Sequence, residues 1–175
     1  MNRKKCLLVI DAQNGMFNLP REMYNGNIIL NNISGLIQNA RAEGADVIYL
    51  QQCAENRYFK EGSEGWQVHL KVSPAENDIV LKKFHSDSFL DTGLDEILKS
   101  REIINLVICG FATEGCVDTT IRRAYSLGYN TEVAGDCHST TDSSILSAEQ
   151  IINHHNEVFK IFASVKESFD IEFSD

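Results

Sequence analysis

Three side chains in this sequence are of the types that together open a carbonyl compound: a carboxylate at Asp11, an ammonium at Lys83 and a thiol at Cys116. The sulfur supplies the nucleophile, the carboxylate takes the thiol proton and later returns it to the leaving group, and the ammonium supports the negative sulfur. Asp11 ends the apolar run Cys6 to Ile10, Lys83 follows the run Asp78 to Leu81 and its neighbour Lys82, and Cys116 lies one turn past Leu106 to Cys109. Each has a plainer use. An aspartate at a strand end is a common turn residue, a lysine there usually faces water, and a cysteine near a helix start often serves only as a small apolar group. Their joint placement at three adjacent strand ends is what points to chemistry, because ligands of open parallel sheets bind beyond the carboxyl ends of the strands.

The elements that must position these residues alternate along the chain. Strand-like runs are predicted at Cys6 to Ile10, Val47 to Leu50, Asp78 to Leu81, Leu106 to Cys109, Asn130 to Ala134 and Val158 to Phe162. Between them come helical patterns: one carrying Ile29, Ile33, Leu36, Ile37 and Ala40 and closed by Gly44, a short one at Leu94 to Leu98, one from Cys116 to Leu127 stopped by Gly128, and one from about Asp142 through Ile152. Alternation of this kind predicts a three-layer α/β/α fold, Rossmann-like in layout, around a mostly parallel six-stranded sheet, with residues 1–175 forming a single domain. The polar and aromatic stretch from Gln51 to Asn77 is left as a loop, of the kind that often covers an active site. In the tail, Phe169, Ile171 and Phe173 alternate with polar residues and read equally as an edge strand or an interface arm. A helix opening at Cys116 would present free N–H groups and a partial positive charge to the sulfur, favouring the thiolate, and those N–H groups with others from the turn Gly110 to Gly115 suit an oxyanion.

Composition removes several other classes of function. A net charge of -9, from 25 acidic against 16 basic residues, gives a polyanion little to bind, so nucleic acid is not an expected partner. The apolar run after Met1 to Lys5 is too short for a signal-peptide core or a membrane span, which predicts a cytoplasmic protein with no membrane partner. Five cysteines without Cys-x-x-Cys spacing argue against a disulfide framework and a structural zinc site. Cys137 and His138 are a poor nucleophile and base pair, since neighbours on an extended chain face opposite sides. A flavodoxin-like carrier would want a phosphate loop after the first strand, where Ala12-Gln13-Asn14-Gly15-Met16 stands, and a receiver-like domain would want a phosphate-accepting aspartate at the end of the third strand, where Lys83 stands.

Three segments carry a resemblance that spans nearly the whole chain: LVIDAQNGMF at residues 8–17, KFHSDSF at 83–89 and CGFATEGCVDTT at 109–120. In this order they resemble the isochorismatase-like cysteine hydrolases, a superfamily that includes nicotinamidases and N-carbamoylsarcosine amidohydrolases. The resemblance implies that Asp11 is the acid/base, Lys83 rather than Lys82 the lysine, and Cys116 the nucleophile. It also implies a non-proline cis peptide at Phe111 to Ala112 that turns the N–H groups of Ala112 and Cys116 into an oxyanion hole. Relatives often form dimers or tetramers, so a homo-oligomer is expected, with a small molecule as the substrate.

Two departures sharpen the reading. Metal-binding nicotinamidases carry an Asp-x-His pair after the second strand, where this chain reads Gln51-Gln52-Cys53-Ala54-Glu55; His69 stands alone, and His154 and His155 are neighbours on a helix, so no metal and no cofactor is expected. Some true isochorismatases act on a vinyl ether without a cysteine at the nucleophile position. Cys116 therefore favours an amide or related carbonyl substrate over the two alternatives, a vinyl ether or a non-catalytic binding role. Phe17, Tyr58, Trp66, Phe89 and Phe111 are the candidate aromatic walls of a substrate pocket.

Overall fold

A computed structural model describes residues 4–174; Met1 to Arg3, part of the predicted N-terminal stretch, and Asp175 lie outside the described residues. Six strands form one sheet in the order β3-β2-β1-β4-β5-β6: β1 (Lys5–Ile10), β2 (Asp46–Gln52), β3 (Ile79–Lys83), β4 (Asn105–Phe111), β5 (Asn130–Ser139) and β6 (Ser164–Lys166). Every pairing is parallel, so the sheet is wholly rather than mostly parallel. Helices α1 (Asn14–Phe17) and α2 (Gly26–Ala42) join β1 to β2, α3 (Leu94–Ser100) joins β3 to β4, α4 (Asp118–Ser126) joins β4 to β5 and α5 (Ala148–Phe159) joins β5 to β6.

Burial explains why the central strands are apolar without alternation. Along β1, Leu7 and Val9 enter one core with Ile29, Ile33 and Ile37 of α2, while Cys6, Leu8 and Ile10 enter a second core with Leu94 and Leu98 of α3 and Ile121 of α4. Helices thus cover both faces, and the period of two along each strand sends successive side chains to opposite layers. This is the three-layer arrangement predicted. No helix among the described residues is long and apolar enough to cross a membrane.

Three boundaries differ from the sequence prediction. The run Val158 to Phe162 is not a strand: Val158 and Phe159 close α5, whose apolar positions Ile151 and Phe159 share one helical face, and the sixth strand comes later at Ser164–Lys166. That helix also begins at Ala148, six residues past Asp142, because Ser147 and Gln150 form a capping box there. Third, β5 does not stop at Ala134. Its register with β4 shifts between Ile108 and Gly110, and the strand resumes with His138 beside Gly110 and Ser139 beside Phe111. The tail becomes no edge strand. Ile171 and Phe173 are buried against the α2 core, Phe169 points out at 82% exposure, and Asp136 accepts from the Ser168 N–H (2.8 Å) and hydroxyl (2.7 Å) to hold the chain there.

Residues 53–77 form a strap over the start of the chain. Its Val68 bridges Gln13, and the N–H groups of Asn14 and Gly15 donate to the carbonyls of Gln67 (2.9 Å) and Gly65 (2.7 Å). A methyl group at either Gly15 or Gly65 would come within 2.4 Å of the Tyr58 carbonyl oxygen, so only glycine lets these backbones meet. The same holds at Gly110, with φ +128°, where a side chain would fall 2.0 Å from the Ile10 carbonyl. That close approach lies at the switch point where the chain winds outward in both directions from β1 and β4, the location at which open α/β sheets bind ligands.

Candidate functional site

Asp11 is the first residue beyond β1 and takes a left-handed conformation, φ 49°, which aspartate tolerates better than most residues. Its N–H still pairs with the Leu50 carbonyl at 2.9 Å, and its own carbonyl accepts from Gln13 at 2.7 Å. Lys83 is the last residue of β3 and pairs in register with Gln52 of β2. Because β2 lies between β3 and β1, the strand ends that carry the reactive groups are not all adjacent, as the sequence reading had them. Lys83 and Asp11 reach toward each other over the end of β2, since the two strand spacings between their strands, roughly 9.5 Å, exceed the span of either side chain alone.

Its ammonium arrives 2.9 Å from Asp11 Oδ2 and 3.2 Å from Cys116 Sγ, with Asp11 and Lys83 both fully buried. It also donates to Gln52 Oε1 at 2.7 Å and to the His85 carbonyl at 3.1 Å. An ammonium has three protons for these four neighbours. The contact with Asp11 is a close ion pair whose angles fall short of an aligned hydrogen bond, so neither carboxylate oxygen has an aligned donor. The Cys116 thiol is close enough to donate to the carboxylate.

Burial raises the proton affinity of Asp11 above that of an ordinary carboxylate, with Lys83 opposing the shift in part. The Cys116 thiol is pushed up to about 11, by burial first and by the Asp11 charge second, with Lys83 again opposing. This corrects the expectation of a resting thiolate. Cys116 is only half-buried, yet it sits in a wide, irregular turn, Thr113–Val117, broken at Gly115, rather than on the first turn of α4. Burial thus favours the protonated form of both Asp11 and Cys116, and Lys83, in contact with each, opposes both shifts.

A pH dependence follows. The reactive form needs Asp11 ionised; its raised proton affinity means the base is lost, as pH falls, above the ordinary aspartate value of about 3.9. The acid limb of kcat/KM is expected to lie above that value, with a plateau until the thiol titrates near 11. Alkylation of Cys116 by iodoacetamide should likewise be slow at neutral pH and rise toward the alkaline limb. An acid limb at or below an ordinary carboxylate would contradict the assignment of the base.

The peptide bond from Phe111 to Ala112 is cis, as the resemblance implies, and the Ala112 carbonyl accepts the N–H groups of Gly115 (3.1 Å) and Val117 (3.2 Å). That carbonyl thus closes the turn from inside and leaves its cysteine at the mouth.

The aromatic candidates divide. Phe111 is wholly buried in the α2 core, edge-on to Phe17 at 5.4 Å, and Phe89, 8% exposed, stacks on Tyr129 at 5.6 Å in the other core. Neither offers a face to a ligand, because each fills space that the sheet and helices would otherwise leave empty. Phe17 and Trp66 are half-buried; Phe17 packs against His69 at 5.2 Å, and the Trp66 indole N–H donates to Cys53 Sγ at 3.1 Å. His69 caps the short turn Leu70–Val72, its Nδ1 accepting from the Lys71 N–H at 3.2 Å. Among the described residues no three His, Cys, Asp or Glu side chains converge as metal ligands.

A set of amides escaped the sequence reading. Gln13 is fully buried; its Nε2 donates to the Trp66 (2.7 Å) and Gln52 (3.0 Å) carbonyls, and its Oε1 accepts from the Gln52 N–H at 2.8 Å. Gln51 adds a second bond to the Trp66 carbonyl at 2.8 Å. Gln13 therefore fixes the end of β2, which fixes the Gln52 side chain on Lys83. A pair of glutamines ending a buried strand was the available signal, since a buried amide demands partners.

Residues 5–165 match the family model described as the Isochorismatase domain. The chain is 33% identical over 139 residues to streptothricin hydrolase of Streptomyces noursei, an alignment covering 79% of this chain but 50% of the relative, so it spans about half the length of that protein. To ureidoacrylate amidohydrolase of Klebsiella pneumoniae it is 28% identical over 204 residues, covering 95% of this chain and 86% of the relative. The crystal structure of an isochorismatase from Pseudomonas putida superposes with a TM-score of 0.92 at 27% identity, covering 97% of this chain and 90% of that one.

Proposed function

This chain belongs to the isochorismatase family, and on that premise we propose that it is a hydrolase that cleaves an amide or related C–N bond of a small molecule through a thioester on Cys116. One observation carries the proposal: the buried Lys83 ammonium lies within 3.2 Å of the Cys116 sulfur and 2.9 Å of an Asp11 carboxylate that has no aligned donor. The names of two relatives, a hydrolase and an amidohydrolase, support the same bond class.

Sulfur attacks the carbonyl carbon while its proton passes to Asp11, and Lys83 steadies the charge on sulfur during the transfer. The carbonyl oxygen gains negative charge and is held by the N–H groups of Ala112 and Cys116. Collapse breaks the C–N bond, Asp11 hands its proton to the departing nitrogen, and an acyl group remains on sulfur. Asp11, again ionised, draws a proton from water as it attacks the thioester; collapse breaks the C–S bond, the acid leaves, and Asp11 returns its proton to the sulfur to restore the thiol. Each proton that leaves one group arrives at another, so the cycle closes with no cofactor.

The test is a panel of small amides and ureido compounds, with ammonia or amine release followed and the reaction quenched in acid. Turnover with an acyl mass added to the peptide bearing Cys116 is the expected result. Turnover without that mass would remove the thioester, and binding without turnover would return the chain to a non-catalytic role.

A further inference from the structure

The steps above leave the buried imidazole of His138 without a part. His138, on the resumed stretch of β5, is fully buried, with Nδ1 2.9 Å from Thr113 Oγ1 and Nε2 2.8 Å from Asn156 Oδ1. Its protonation pattern can be read from its partners. Asn156 Nδ2 donates to the Gly135 carbonyl at 3.2 Å, which turns its Oδ1 toward the imidazole. His138 must then carry its hydrogen on Nε2, leaving Nδ1 as an acceptor, so the Thr113 hydroxyl donates to it. The imidazole stays neutral because burial, beside the Phe159 ring at 5.6 Å, lowers its proton affinity to about 4.

Thr113 occupies a decisive place. It follows Ala112 directly, opens the turn that ends at Val117, and stands three residues before Cys116. Its side chain is fully buried, and its hydroxyl is the atom of the turn anchored to β5. The path from α5 through Asn156, His138 and Thr113 thus ends on the backbone that must aim two N–H groups at one oxygen. We infer that His138 is a positioning residue for acyl transfer: by holding the Thr113 hydroxyl it sets the direction of the Ala112 and Cys116 N–H groups without touching the substrate. This rests on the thioester reading above and adds to it a role for the far side of the turn.

The two can be tested separately with two reagents on the intact protein. Acylation of Cys116 by p-nitrophenyl acetate builds an oxyanion, whereas alkylation by iodoacetamide attacks a saturated carbon and builds none. Thr113→Val is expected to slow acylation about 10- to 100-fold, the usual scale for a misdirected oxyanion donor, while alkylation stays within about twofold of wild type. Thr113→Ser, which restores the hydroxyl, should recover most of the loss. His138→Asn, too short to reach Thr113, should show the same split and serves if the valine variant folds poorly. Parallel loss of both reactions would mean general disorder of the turn and overturn the inference, as would unchanged acylation. If Cys116→Ala releases p-nitrophenolate as fast as wild type, the thioester reading itself fails.

Discussion

Cys116→Ala is expected to lower amide turnover by about 10⁴-fold or more while leaving the fold intact. In the proposed mechanism the sulfur is the one atom of the site that forms a bond to the substrate, so neither Asp11 nor Lys83 can substitute for it. The protein tolerates the loss because the side chain is small and half-buried at the mouth of the turn, and the cavity left behind is a single sulfur's worth. Urea denaturation should place the variant within about 1 kcal/mol of wild type. Residual turnover of even a tenth of the wild-type rate would show that another group attacks.

Lys83→Met should damage both activity and stability. Methionine keeps most of the apolar stem, but Asp11 is left fully buried beside no cation. Breaking one half of a buried ion pair costs on the order of 3 to 5 kcal/mol, and turnover should fall about 10²-fold or more as the sulfur loses its supporting charge. The sign of the pH dependence is a check. Without the lysine, the folded-state proton affinity of Asp11 rises further above its unfolded value, so the penalty is absent where the carboxyl is protonated in both states. It grows as pH rises from the unfolded value of about 3.9 toward the folded one and is constant beyond. The variant should therefore be less impaired near pH 5 than near pH 8. Asp11→Asn combined with Lys83→Met should regain much of the lost stability, though none of the activity, because the uncompensated charge is gone. A single variant as stable as wild type at pH 8 would show that the pair is not dry.

How far this site was legible depends on the range of the interactions involved. Asp11, Lys83 and Cys116 stand out because strand ends are local features and the strands before them are unbroken apolar runs. The sheet order was not local, so the passage of Lys83 over β2 and its bond to Gln52 had no sequence counterpart. The fifth strand is read from sequence as ending at Ala134, and only the pairing of His138 with Gly110 shows that β5 continues. Val158 and Phe159 have a strand's composition but a helix's spacing relative to Ile151, and the spacing prevailed. Phe89 and Phe111 share their chemistry with pocket-lining aromatics; which space they fill is decided by packing. The thiol's state escaped for a similar reason, since the helix terminus expected to favour the thiolate is outweighed by burial and by the carboxylate beside it.

The strap meets the opening of the chain through main-chain atoms, at two positions where even a methyl group would collide with the Tyr58 carbonyl. Anchorage and display are thereby divided between different atoms of the same segment. Outward residues such as Glu55, Arg57 and Glu61 take no part in that backbone seam. Natural drift or deliberate redesign can therefore rewrite what the segment shows to an arriving molecule and leave its course over the thiol's neighbourhood unaltered.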